Sequence, residues 1–478
     1  MAESPVPSAS GFPPVDSAAW RARVEADLGA AGAAALAART LAGLTVEPCY
    51  GEAPGDAPPL LRARTWCQAP RLCCVDPAAA NAELLADLRG GASACWWMAD
   101  VERLDDAGFE RLVAEVALGA IEVHVDSGDA PAGVAERLFA RAAQSPLHGS
   151  LGADPLGAWA RRGRPARAMD ACWDEAAALT ERCVAEQPAV RALGLSAEAP
   201  ADAGAHAVQE LAFLLASTAE TWRALDARGV APGVAAQQTL WRLTVGADSF
   251  GALAKLRAAR RLFRRMAAAC GVEGLAADGR LHAVAARRTL ARRDPWSNLL
   301  RATTQAWAAL LGGADVWTAT CWDEALGRPS ADARRLSRNL ALVLAEEGAL
   351  DAVADPAAGS GHFEARTEDL AQAAWLAFQD LERRGGLAAV LADGSFRDEV
   401  DATARARRER LESGESAVVG VTAFPPQHAD VLAAAQRAID AAEAWPGDAA
   451  LPAEEGDAAC AAGAFPLRRD ADDGGSGA

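Results

Sequence analysis

Residues 109–125 read FERLVAEVALGAIEVHV, and this stretch changes period halfway along. Its first part, 109–118, mixes apolar and charged residues as an amphipathic helix does. From residue 120 the pattern becomes that of a strand, with Ile121, Val123 and Val125 alternating with Glu122 and His124. The same succession lies on both sides. Upstream, a helix over 81–89 precedes an apolar run at 94–98. Downstream, runs at 192–195, 239–245, 280–284, 315–320 and 417–421 are separated by long helices at 207–228, 250–270, 299–311, 334–347 and 368–384. Helix and strand alternating this regularly build a parallel sheet covered by helices. About eight such units, with no GxGxxG turn after the first strand, point to a closed (β/α)8 TIM barrel rather than a dinucleotide-binding sheet.

The barrel is assigned to 78–424. Residues 1–77 are read as an N-terminal helical and extended arm that contacts the barrel or a partner. It opens on a Pro- and Ser-rich stretch through Pro14, turns helical over 17–40 with Trp20, Val24 and Leu28 near helical spacing, and passes a Gly/Pro linker at 51–59. Residues 425–478 are read as a C-terminal tail, with a helix at 429–445 and a mobile acidic Gly/Ser end from Asp470.

The 478 residues are half hydrophobic, enough for a large core. Asp and Glu total 65 against 47 Lys and Arg, a formal charge of −18. That sign argues against a nucleic-acid backbone or an anionic membrane surface as partner. Lys255 is the single lysine and Tyr50 the single tyrosine, so chemistry needing two of either is excluded. Ten cysteines without CxxC spacing make neither a disulfide scaffold nor a zinc site, and the adjacent Cys73 and Cys74 make none alone. No secretory signal, transit peptide or long uncharged apolar stretch is seen, so a cytoplasmic location with reduced thiols is expected.

No Walker loop, HExxH, GxSxG or EF-hand loop occurs. Glu122 and His124 share a strand face, as a metal pair or, more commonly, a hydrogen-bonded strand histidine. His206 stands where a helix begins and reads as its cap. The turn Asp355–Gly361 either offers amides to a phosphate or simply ends a helix. Arg257, Arg260, Arg261, Arg264 and Arg265 recur at helical spacing and read as a solvated face. Trp96 and Trp97 should point to opposite sides of one strand.

Several ordered blocks then resemble the acyl-CoA mutases, specifically the methylmalonyl-CoA mutases. The opening Phe12-Pro13-Pro14 with Trp20-Arg21 is similar to theirs, as is Thr40 through Tyr50 to their TxxGxxxxPLY element. Further blocks are Leu151 to Gly157, Gly204 to Ala212, Ala254 to Arg260 (AKLRAAR), Asn298 to Thr304, Leu311 to Asp315, Cys321 to Leu326, Ala333 to Asn339, and Asp355 to Ser360 with Phe363-Glu364 and Thr367. The resemblance runs in order from about residue 12 to 421. It implies a barrel threaded by CoA and a separate domain carrying adenosylcobalamin on a DxHxxG histidine, the pair rearranging methylmalonyl-CoA and succinyl-CoA.

Departures from the family decide the expected role. Its Tyr-His pair before the EAGA turn falls on Pro200 and Ala201. Its RNTQ block continues here from Arg338-Asn339 to Leu340-Ala341, and its RTHxxTSG segment keeps Arg280 and His282 but holds Ala285-Ala286 in place of Thr-Ser. No DxHxxG histidine is present, and 57 residues after Val421 are too few for a cobalamin-binding domain. The resemblance therefore implies the non-catalytic small subunit of a heterodimeric mutase, stabilising the catalytic large subunit. This chain would have no catalytic, cofactor-binding or metal residues and no bound cofactor, adenosylcobalamin residing in the large subunit, with residual acyl-CoA binding left open. The alternatives are a catalytic barrel whose cobalamin domain is on another chain, and an independent CoA-binding or chaperone-like protein on the same fold.

Overall fold

The computed structural model describes residues 15–51, 66–142, 146–274, 278–426, 465 and 467–469. Eight parallel strands form the sheet. They are β1 (Cys67–Gln68 and Arg71–Leu72), β2 (Ala94–Trp97), β3 (Glu122–Val125), β4 (His148–Ala153), β5 (Val190–Ser196), β6 (Thr239–Val245), β7 (Arg280–Ala285) and β8 (Val316–Thr318). Each pairs with its neighbours in sequence. The two halves of β1 close the ring: Cys67 and Gln68 pair with Val316 and Trp317, while Arg71 and Leu72 pair with Trp96 and Trp97. Pro70, which has no N–H to donate, sits at the break, and its carbonyl accepts from the Trp96 N–H at 3.0 Å. The result is a closed (β/α)8 barrel.

Helices follow in order. α1 (Ser17–Ala34) belongs to the arm; α2 (Pro77–Arg89), α3 (Asp106–Leu112), α4 (Ala132–Ala142), α5 (Pro155–Arg162) and α6 (Met169–Glu186) cover the first half of the barrel. Then come α7 (Glu198–Asp202), α8 (Ala207–Asp226), α9 (Pro232–Gln237), α10 (Ser249–Ala269), α11 (Ser297–Leu311) and α12 (Ala331–Leu342), and finally α13 (Gly361–Arg383), α14 (Leu387–Ala392) and α15 (Ser395–Glu412). Polar caps set many starts. Asp76 accepts from Ala78 and Ala79 ahead of α2, Asp105 from Gly108 ahead of α3, and Asp154 from Gly157 ahead of α5. The core between sheet and helices is apolar and continuous, with Trp97, Phe109, Phe213, Trp241 and Phe263 wholly or almost wholly buried.

Several boundaries differ from the sequence reading. The first strand lies at 67–72, ahead of residue 78. β4 reads HGSLGA, a glycine-rich stretch without β-branched residues. Its register shifts between Ser150 and Ala153, where Gly152 takes φ +71° and presses on the Val125 carbonyl, a position with no room for a Cβ. Residues 417–421 are not a barrel strand: they fold into a turn with a single bridge from Val419 to Ala423, and Val419 is exposed. The helix expected over 109–118 ends at Leu112, before a short 3-10 turn at Leu118–Ala120. α1 buries none of its side chains, whereas the ribbon pairing Ala38–Arg39 with Thr45–Val46 is tied down by Arg366 and Arg410. In the tail, Phe465 is buried beside Phe396 and Arg468 pairs with Asp401 at 2.8 Å, so this part is anchored. The helix expected at 429–445 and the acidic end from Asp470 lie outside the described residues.

Candidate functional site

The barrel axis is the first place to look, because enzymes of this fold work at the C-terminal ends of the strands. Here the axis is filled. Trp96 on β2 points inward, as its neighbour Trp97 points out to Phe109. The guanidinium carbons of Arg242 and Arg71 lie 4.2 and 4.6 Å from its ring centre. His282 stands edge-on to it at 5.0 Å, and His124 lies 5.5 Å beyond. A hydrogen-bond chain fixes the His282 tautomer. Arg242 Nε donates to Nδ1 at 3.4 Å, Nε2 donates to Thr318 Oγ1 at 2.8 Å, and the Thr318 hydroxyl donates to the Ala69 carbonyl at 2.6 Å. Burial first, and then the Arg242 charge, push His282 well below the usual imidazole range, so it is neutral.

The charges around this plug cancel one another. Arg71 bonds Glu198 at 3.0 Å and faces Glu324 at 3.6 Å; Arg242 faces Asp126 at 3.4 Å and Glu198 at 3.7 Å. Arg161 adds a second cation to Asp126 at 3.2 Å, and Arg287 one to Glu324 at 3.2 Å. Burial alone would raise the Asp126 carboxyl, but Arg161 and Arg242 hold it below the usual range. The network cross-braces β1, β6 and the loops that follow the strands. Trp96, Arg242, His124 and His282 are wholly buried at this axis.

The other residues singled out in the sequence have structural places. His124 Nδ1 bonds Ser150 Oγ at 3.0 Å and Nε2 lies 3.2 Å from Glu122, which also pairs with Arg280. It is the hydrogen-bonded strand histidine; among the described residues no cluster of three or more His, Cys, Asp or Glu could hold a metal. His206 caps α8, with Nδ1 accepting from the Gln209 N–H at 3.3 Å and Gln209 Oε1 accepting from the His206 N–H at 3.1 Å. Burial pushes this histidine down to about 4, which keeps Nδ1 free to accept. Pro200 and Ala201 are buried in α7, and Ala285, Ala286 and Ala341 are buried as well. Arg338 bonds Asp87 at 3.1 Å and the Gly90 carbonyl at 2.9 Å. Tyr50 packs edge-on against His362 at 4.9 Å, and its oxygen accepts from the Glu47 N–H at 3.1 Å. In the turn Asp355–Gly361, Ser360 caps α13, Asp355 pairs with Arg257, and the Gly359 N–H points to Glu364.

The arginine series on α10 is not a solvated face. α13 packs over it, so Arg257 is buried between Asp355 and Glu364, and Arg260 is buried against Asp315 and the Gly313 carbonyl. Arg261 and Arg264 pair with Glu364 and Asp278, and Arg265 lies over the Trp375 ring at 4.1 Å. Regular spacing alone cannot tell water from a second helix.

A side cleft of about 330 Å³ lies off the axis, beside the starts of α8 and α10, under the Thr40–Ala42 turn and against α13 and α15. Lys255 and Glu210 form its floor. Lys255 Nζ lies 2.7 Å from Glu210 Oε2, and Thr244 Oγ1 donates to the same carboxylate at 2.9 Å. Arg407 Nη1 donates to the Gly204 carbonyl at 2.7 Å. Gly204 has φ +115°, and a Cβ there would stand 2.7 Å from that of Ala404. Sequence reasoning marked the Thr40–Tyr50, Gly204–Ala212 and Ala254–Arg260 segments separately but missed the cleft, because only the fold brings them together with α13 and α15.

Comparisons with known proteins give the following likenesses. The family model described as methylmalonyl-CoA mutase matches residues 101–444. The methylmalonyl-CoA mutase small subunit of Streptomyces virginiae is 36% identical over 445 residues, covering 87% of this chain and 71% of that protein. The small subunit from Propionibacterium freudenreichii subsp. shermanii is 31% identical over 349 residues, covering 72% and 54%. The chain thus spans 71% of the first relative and about half of the second. Among solved structures, a putative dihydrodipicolinate synthetase from Pseudomonas aeruginosa aligns at 12% identity with a TM-score of 0.30, over 79% of this chain and 99% of that one.

Proposed function

This chain belongs to the methylmalonyl-CoA mutase family, and we propose that it acts there as the non-catalytic subunit of a heterodimer, stabilising a catalytic partner that carries adenosylcobalamin and interconverts methylmalonyl-CoA and succinyl-CoA. The observation that carries this reading is the axial plug of Arg71, Trp96 and Arg242. In the family the resemblance implies a CoA chain at the axis; here two guanidiniums and an indole take that space and are locked by Glu198, Glu324 and Asp126. The positions aligned with the catalytic Tyr-His pair, Pro200 and Ala201, are apolar and buried. Neither side chain can donate to a substrate carbonyl, so the preorganised donors that stabilise a transition state are missing at these two positions.

The arm supports a partner-binding role. α1 buries none of its own side chains, and Val15, Leu28 and Leu36 stay exposed on or near it. Stable heteromeric interfaces bury on the order of 2,000 Å² or more, and an arm of this kind adds area without disturbing the barrel. Binding only the folded partner then raises that partner's apparent stability.

The test mixes the chain with a catalytic mutase subunit and follows size-exclusion with light scattering, alongside a visible-spectrum titration of each with adenosylcobalamin. A one-to-one complex and an unchanged spectrum for this chain alone are expected. A cobalamin spectral change with this chain alone, or no complex, overturns the proposal. Among the described residues no helix is long and apolar enough to cross a membrane.

A further inference from the structure

We propose that the cavity at the N-terminal ends of β5, β6 and β7 binds a small carboxylate, held by Arg191 and Gln238. The cavity measures about 290 Å³. Pro188 and Arg191 enter it from the start of β5, Ala236 and Gln238 from the end of α9, and Gly279 from the turn before β7. In barrels of this kind the functional loops lie at the other end of the strands, and this end serves stability. A cation without a partner does nothing for stability, and one stands here.

Arg191 makes no hydrogen bond or ion pair through its guanidinium among the described residues, and its Nε is shut off from solvent with nothing to donate to. The two acids that act on its charge, Asp315 and Glu122, are committed elsewhere. Asp315 pairs with Arg260 at 2.9 Å and accepts from the Leu281 N–H at 2.8 Å. Glu122 pairs with Arg280 and lies 3.2 Å from His124 Nε2. Burial first, and then the like charge of Arg280, lower Arg191 from an ordinary 12.5 to about 10. Gln238 adds a second, independent donor. Its side chain is buried, and Oε1 accepts from the Ala192 N–H at 2.9 Å, which fixes the oxygen end of the amide. The amide nitrogen is left without a partner among the described residues, in a side chain that lines the cavity.

The two unpaired groups are both donors and one is charged, so the ligand that completes them is an anion. A single guanidinium balances a single negative charge, which suits a carboxylate better than a phosphate dianion. A carboxylate takes the planar fork of an arginine on its two oxygens and keeps lone pairs for an amide N–H. Pro188, Ala236 and Gly279 supply small uncharged walls beside these donors. The volume lies near the lower end of ordinary small-molecule sites, about 300–1,000 Å³, and leaves room for a short carbon chain. Neither the axial plug nor the side cleft contributes a residue, so this is a separate site.

Isothermal titration of the purified full-length chain, without any partner subunit, tests this; the outcome is therefore independent of whether the heterodimer forms. The probes are butyrate, its neutral analogue butyramide, and inorganic phosphate, at matched ionic strength and about pH 8, where phosphate is a dianion. Butyrate should bind with a Kd of about 1 mM or tighter, phosphate at least about tenfold more weakly, and butyramide not at all. Arg191→Gln should weaken butyrate by at least about tenfold. Gln238→Glu keeps an acceptor for the Ala192 N–H but sets a carboxylate of its own in the cavity, and should weaken butyrate by at least as much. It carries the test should Arg191→Gln fail to fold. Arg335→Glu, on an exposed face elsewhere, should change nothing. No heat with butyrate at concentrations on the order of tens of millimolar overturns the proposal. So does butyramide or phosphate binding as tightly as butyrate, or wild-type affinity retained in either cavity variant.

Discussion

The Arg242 guanidinium lies 4.2 Å from the centre of the Trp96 ring, at the axis of the barrel and out of contact with solvent. The indole takes the middle of the barrel and the arginine covers its face, while Asp126 and Glu198 hold the charge. Packing and electrostatics are thus joined at one point, and each can be broken separately. Trp96→Ala leaves a large void in a dense interior and should lower unfolding free energy by about 3–5 kcal/mol. Arg242→Met keeps most of the volume and removes one of two cations from each of Asp126 and Glu198, which retain Arg161 and Arg71, so a smaller loss of about 1–3 kcal/mol is expected. Urea titrations followed by tryptophan fluorescence measure both; a loss below 1 kcal/mol in either contradicts the assignment.

The Lys255–Glu210 pair gives a second expectation. Lys255→Met alone leaves Glu210 buried with only Thr244 as a side-chain donor and should destabilise by about 3 kcal/mol. Adding Glu210→Gln should recover at least half of that loss, because no buried charge then lacks a partner. Equal stability of the single and double variants in thermal melts would show that the pair is not coupled.

Two glycines with positive φ should respond differently to alanine. Gly204 has φ +115° and meets Ala404 at once, so Gly204→Ala should cost about 2–4 kcal/mol. Gly359, at φ +78°, has open space around its Cβ direction, so Gly359→Ala should cost only about 1 kcal/mol. Calorimetric melting of both proteins compares them, and the order, not the absolute values, is the decisive reading.

His206 predicts a pH dependence. Burial lowers it from an ordinary 6.5 to about 4 in the folded chain. The unfolded state therefore binds its proton first, and the stability carried by the neutral cap is fully present above 6.5 and is lost as pH falls towards 4. His206→Asn keeps a capping oxygen without the titration. The stability of the variant relative to wild type should rise by on the order of 2 kcal/mol between pH 7.5 and 4.5. Parallel denaturation curves across that range would remove His206 as the cause.

Placing the family's Tyr-His pair back in α7 should not create activity. Pro200→Tyr with Ala201→His forces two large side chains into buried positions and leaves the axial plug intact, so overpacking of about 1–3 kcal/mol is expected. Succinyl-CoA formation from methylmalonyl-CoA by this variant alone, in the presence of adenosylcobalamin, would sink the plug as a barrier to catalysis.

Much of the barrel was legible because its strands carry their own pattern. β6 matches the run at 239–245 to the residue, and β3 falls inside 120–125. β4 was silent, since its small residues Gly149, Ser150, Gly152 and Ala153, which let backbones approach closely, also erase the alternation a strand needs. β1 was silent because Pro70 divides it. The run at 417–421 misled through its valines, which a turn exposes instead. At the site, local signals held: the His206 cap and the opposed tryptophans depend on neighbours in sequence. The axial network did not show, because Arg71, Asp126, Glu198 and Arg242 meet only when four strands close into a ring. The arginines of α10 misled for the same reason: Arg257 and Arg261 meet Glu364 of α13, about a hundred residues away, and Arg260 meets Asp315 ahead of β8.

The divided strand β1 also sets an order of events. Its partner β8 arrives late, Thr318 bonding to Ala69 across 249 positions. While the ribosome is still making the residues before Asp315, the nascent sheet has two raw edges, one on β1 and one on β7, and nothing encloses the tryptophan between them. Closure is a single long-range event that only the last strand can complete. Any chaperone or partner that shields those edges would act in that interval.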